Sequence, residues 1–164
     1  MSIKPILTAL DRLVQVHESL FQLSLEKTDL LKSGKIEEIQ DILKTELQHI
    51  QAIDKLEKKR IEAVEEWAGD QELTDDEKTV TAILEKLTDE KEREQLEEVS
   101  TKLAKTLVQL KAQEGLNHNL TEQSMQFVQM NLDLISPTIE QVNYGNKKEQ
   151  SDPQSKRSIF DSKA

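Results

Sequence analysis

Three histidines, His17, His49 and His118, are the side chains best suited to metal or acid–base chemistry in this sequence, and their spacings limit what they can do. Glu46-Leu47-Gln48-His49 has the Glu-x-x-His spacing that carboxylate-bridged di-metal bundles place on an inward helix face. Such a centre needs that motif twice. Glu114 and His118 are instead four apart, and no further pair of inward glutamates accompanies them. His17 falls on a helical seam, where a neutral imidazole bonded to a neighbour is commoner than a ligand or a general base. With no cysteine, no Gly-rich turn and no strand-to-helix elbow, the sequence shows no nucleophile placed with a base and an oxyanion site, and a metal-dependent bundle enzyme survives as a reading only on Glu46 and His49. The expectation is therefore a protein with no catalytic residues, no metal and no cofactor, whose function is binding.

A binding surface is legible between Gly115 and Ile135. Charge nearly vanishes there, and Asn117, Asn119, Gln123, Gln126, Gln129 and Asn131 are interleaved with Met125, Phe127, Met130 and Leu132. Uncharged amides beside adaptable Met and Phe accept another helix without stranding a desolvated charge. The plainer reading, that this stretch only completes the fold's own packing, predicts the same composition.

The elements that must position this surface are helices. Four Gly and three Pro in 164 residues, with only 3% aromatics, describe long helices packed through Leu, Ile and Val. A seam of alternating four- and three-residue steps through Ile6, Leu10, Leu13, His17, Leu20, Ser24, Lys27 and Leu31 predicts a helix over about 3–33, with Pro5 in its first turn and Gly34 as its stop. Ile36, Ile39, Leu43, Leu47, Ile50, Ile53, Ile61 and Val64 predict a second over about 35–68, ended by Gly69 and antiparallel to the first. Thr74-Asp75-Asp76-Glu77 reads as a capping box opening a short helix over 75–87. A third long stripe, from Leu96 through Leu110, a polar step at Glu114 and Asn117, and on to Ile135, predicts a helix over about 90–136 that stops before Pro137. The fold expected is all-α: an elongated antiparallel bundle of three long helices plus one short one, packed like a coiled coil over residues 1–144.

Residues 145–164 are polar and without periodicity, and read as a disordered tail. Five basic and three acidic residues give the tail a charge of +2, against −10 for the whole chain, so −12 resides in residues 1–144. A body this acidic is a poor binder of duplex nucleic acid or of anionic membrane. Met1–His17 carries Asp11 and Arg12 within its apolar stretch and does not read as a signal peptide, and no apolar run reaches the roughly 18 residues of a membrane span. A cytoplasmic location is expected.

The order of features along the chain resembles the FlgN-type flagellar chaperones. The resemblance is carried by the Leu-rich N-terminal helix, Leu56-Glu57-x-x-Arg60, Asn117-x-Asn119, Tyr144-Gly145 and the terminal Phe160-Asp161-Ser162-Lys163-Ala164. Each motif is short, but together they span nearly the whole chain. The resemblance implies a chaperone that holds the hook–filament junction proteins FlgK and FlgL by their C-terminal helical segments, prevents premature assembly and delivers them to the flagellar type III export apparatus. It implies cargo binding in the C-terminal part, with Leu120, Phe127, Met130, Leu134 and Ile135 as the apolar floor and Asn117 and Asn119 fixing register. It also implies that a Tyr near the C-terminus, here Tyr144, touches the export gate FlhA. The alternative from the same stripes is a structural coiled-coil protein that self-assembles.

Overall fold

A computed structural model describes residues 2–148, with side chains through 135. Its elements are α1 (Lys4–Ser33), α2 (Ile36–Asp70), a 3-10 turn (Asp75–Glu77), α3 (Val80–Lys86) and α4 (Glu90–Lys148), with no strand among the described residues. The chain divides into two units, Met1–Thr121 and Glu122–Ala164. All of α1, α2 and α3 and the first part of α4 belong to the first.

Side-chain pairs set the directions of the helices in the first unit. Residue numbers on α1 and α4 rise together: Ser2 Oγ donates to Glu92 (2.6 Å), Lys102 pairs with Glu18 (3.2 Å) and Ser24 Oγ donates to Glu114 (2.6 Å). Ser19 with His49 and Lys27 with Glu46 run in opposite senses on α1 and α2. The unit is thus an up-down-up bundle in which α2 is antiparallel to both of its long neighbours, the arrangement that short connections produce. Its apolar core lies at one end, where Ile3, Leu13, Trp67, Ile83 and Leu96 are buried. The short α3 contributes Ile83 to that end, so the open mouth of the bundle is covered without a fourth long helix.

The helix ends follow from local chemistry. Gly34 adopts φ 69, and its N–H and that of Lys35 both reach the Leu30 carbonyl, so the last turn of α1 is closed by a left-handed residue. The second helix differs from expectation: Gly69 lies within it, and the left-handed position after its end is Glu72, with φ 54. The Leu73 N–H closes back on the Ala68 carbonyl at 3.0 Å, which requires that reversed residue three positions beyond the glycine. Gly34→Ala should therefore destabilise the fold by about 1–2 kcal/mol, the cost of a left-handed L-residue, while Glu72→Gly should stabilise it by up to about 1 kcal/mol. Urea melts of the two variants check both signs.

The capping box at Thr74 forms, with the Thr74 N–H and Oγ both donating to Glu77 Oε2 at 3.0 Å. The Thr74 backbone bond, then the Lys86 and Thr74 side chains, pull the Glu77 carboxyl down to about 2. That box opens a single 3-10 turn. The α-helix begins later, at Val80, under its own cap, where the Ala82 N–H donates to Thr79 Oγ at 3.2 Å. The expected helix over 75–87 is therefore two pieces.

The largest departure is in α4, which continues past the expected stop at Ser136 and through Pro137 to Lys148. A proline inside a helix removes one hydrogen bond and crowds the carbonyl four residues back, but it does not forbid helical backbone on its C-terminal side. The expected tail begins at Gly145, yet 145–148 are helical, and 149–164 lie outside the described residues.

Candidate functional site

The residues singled out from the sequence divide at the boundary between the two units. In the first unit, Asn117 is 2% exposed and engaged on all sides by α1. Its Nδ2 donates to the Ser24 carbonyl (2.8 Å) and Oγ (3.1 Å), and its Oδ1 accepts from Thr28 Oγ (2.5 Å). The register it fixes is therefore that of α4 on α1, inside the bundle. Asn119 is exposed and Leu120 half-buried.

Asn117 belongs to a polar layer that crosses all three long helices. Lys27 of α1 donates to Glu46 of α2 (2.7 Å) and to Glu114 of α4 (3.0 Å), Ser24 donates to Glu114, and Gln113 Nε2 donates to Thr28 Oγ (2.5 Å). Every apolar seam breaks at this level: Ser24, Lys27, Thr28, Glu46 and Asn117 are all buried. Burial pulls the Lys27 ammonium down, but the hydrogen bonds and charges of Glu46 and Glu114 outweigh it and hold the group above its ordinary 10.5. A cation whose pKa is raised on folding contributes stability that is complete below about pH 10.5 and is lost as pH rises through the raised value. In alkaline melts the stability difference between the native chain and Lys27→Met should accordingly shrink as pH climbs above that point.

The same layer accounts for the Glu-x-x-His spacing. Glu46 is spent on Lys27, while His49 bonds Ser19 Oγ at 2.8 Å and donates from Nδ1 to the Thr45 carbonyl at 2.8 Å. His17 Nδ1 likewise donates to the Leu13 carbonyl, at 2.7 Å. Among the described residues no three His, Asp or Glu side chains group as a metal site would require.

In the second unit the remaining assigned residues lie on one uncovered helix. Phe127, Met130, Leu134 and Ile135 are exposed, and so are Met125, Val128 and Leu132; Leu134 is 69% exposed and Ile135, the least exposed of the seven, 51%. Full burial of such a side chain is worth about 1.5–3 kcal/mol, so this is a large unused gain on one short stretch. Three of the seven, Met125, Val128 and Leu132, carry no role in the sequence-derived floor, although the three- and four-residue steps from Met125 through Val128 and Leu132 to Ile135 already mark a stripe. Gln129 Nε2 donates to Asp133 Oδ1 at 2.9 Å, and Asn131 Nδ2 to the Phe127 carbonyl at 3.0 Å, so neighbouring polar groups are tied to their own helix. Tyr144 falls on helical backbone of α4, and its side chain lies outside the described residues.

An all-helical unit crossed by a buried polar layer, and a helical stretch whose large apolar side chains are exposed, together present the kind of surface that interaction sites use. The comparisons give the family. The profile of the family described as FlgN protein matches residues 1–152, and the chain belongs to the FlgN family. It is 37% identical over 165 residues to "Uncharacterized protein YvyG" of Bacillus subtilis (strain 168), with the whole of both chains covered. No solved structure matches. FlgN proteins are chaperones of flagellar export and not an enzyme family. No helix among the described residues is long and apolar enough to cross a membrane.

Proposed function

We propose that this protein is a cytoplasmic export chaperone that holds the C-terminal helical segments of FlgK and FlgL on residues 120–135 and delivers them to the flagellar type III apparatus. The observation that carries the reading is the run of seven exposed large apolar side chains from Met125 to Ile135 in a chain of the FlgN family. Segments that pack only in the assembled filament are amphipathic while they wait in solution. A helix that is apolar and nearly free of charge can cover them, and mass action then keeps the cargo unaggregated. Tyr144 would offer the contact to the export gate FlhA.

Calorimetric titration of the full chain with the isolated C-terminal segments of FlgK and FlgL tests this reading. Saturable one-to-one binding is expected. Absence of binding, together with a sedimentation coefficient that rises with concentration, would favour the second reading, a coiled-coil protein whose bare stripe meets its own copies. Loss of FlhA binding in Tyr144→Ala, with cargo binding kept, is the outcome expected for the gate contact.

A further inference from the structure

The bare helix carries two apolar faces. Phe127, Met130 and Leu134 are separated by three and four residues and share one face, while Met125, Val128, Leu132 and Ile135 follow the same rule on another. At about 100° per residue the two faces point roughly 150° apart around the helix. Glu122, Gln126, Gln129 and Asp133 fill the wide lane between them, and Ser124 and Asn131 the narrow one. A single helix laid alongside covers one such stripe and cannot reach the other.

The edge shared by the first face and the narrow lane has a precedent within the chain. Counting alternate steps of three and four along α4 from Leu96 through Val99, Thr106 and Asn117, all buried, the same count arrives at Phe127 and Leu134. Where this seam is buried, two helices of the chain's own, α1 and α2, flank α4 and complete a three-helix bundle. Over 122–135 the same count falls on Ser124, Phe127, Asn131 and Leu134, of which the two large apolar residues are exposed.

We infer that residues 122–135 are a docking site for two amphipathic helices presented together by one partner, one helix on the Phe127–Leu134 face and the other on the Met125–Ile135 face, with α4 between them. This rests on the reading of that stretch as the cargo site. The rims specify the partner's chemistry: with Glu122 and Asp133 as the acidic groups on the wide lane, the positions facing it on both helices would be neutral or basic. Stoichiometry remains one to one, since both helices come from one chain.

The test compares two paired substitutions in the full chain, Phe127→Asp with Leu134→Asp and Val128→Asp with Leu132→Asp, using purified full-length FlgK as the probe. All four positions are exposed, so both variants should keep the native melting profile. The inference expects each pair to weaken binding by at least tenfold. Binding kept within twofold by either pair would overturn it, because one face would then be idle. A native chain that is dimeric without FlgK, and becomes monomeric when Val128 and Leu132 are replaced, would assign that face to a second copy and overturn it too. Failure of the native chain to bind FlgK at all would instead remove the cargo reading beneath it.

Discussion

Replacing Phe127 and Met130 with Asp is expected to abolish measurable binding of the FlgK and FlgL C-terminal segments, with a loss of at least a hundredfold, while the thermal melt of the free protein stays unchanged. Both residues are more than half exposed and neighbours on one face of α4, so the free chain has no packing there to lose. In a complex each carboxylate would be trapped against apolar side chains, at a cost of several kcal/mol unless a partner group neutralises it. Isothermal titration of the variant against either segment reads the effect directly. Undiminished affinity in a folded variant would mean that cargo, if bound, is bound elsewhere.

The second large effect is on stability. Lys27→Met should destabilise the first unit by about 3–5 kcal/mol, because it leaves the Glu46 carboxylate buried without its cation. Glu114 would suffer less, since its side chain is 41% exposed and can turn to water. Adding Glu46→Leu to Lys27→Met should recover most of the loss, since apolar replacement of both members of a buried ion pair is often neutral or favourable. Urea denaturation of the two variants tests the sequence of loss and recovery. A loss under 1 kcal/mol in the single variant would show that the pair is effectively solvated. The recovered double variant also reports on what the layer is for: buried polar residues at seam positions can fix register and oligomeric state at some cost in stability, and a mixture of oligomers in that variant is the expected sign of it.

Much of the fold was open to sequence reasoning because helices are specified by local periodicity and local stops. The stripes of α1 and α2, the left-handed Gly34 and the Thr74–Glu77 box all depend on residues within a few positions of one another. The errors share one origin. Gly69 and Pro137 are residues that end helices by tendency, and tendencies of about 1–3 kcal/mol yield to the summed hydrogen bonds and packing of a long helix. The polar layer left traces in two separate places, the Ser24 and Lys27 steps in one stripe and the Glu114 and Asn117 step in another. Nothing local says that those steps lie at the same height.

By itself, then, the sequence determined that this chain is helical, acidic and without cysteine, and that an uncharged, amide-rich, apolar stretch lies near the end of its last long helix. Composition and spacing along a single helix suffice for all of these. Only the tertiary structure decided that Asn117 faces inward to α1 while Phe127, ten residues later on the same seam, faces solvent. Both positions satisfy the same periodic rule. What separates them is whether other helices are present at that height to cover the seam, and that is fixed by where distant segments end and fold back.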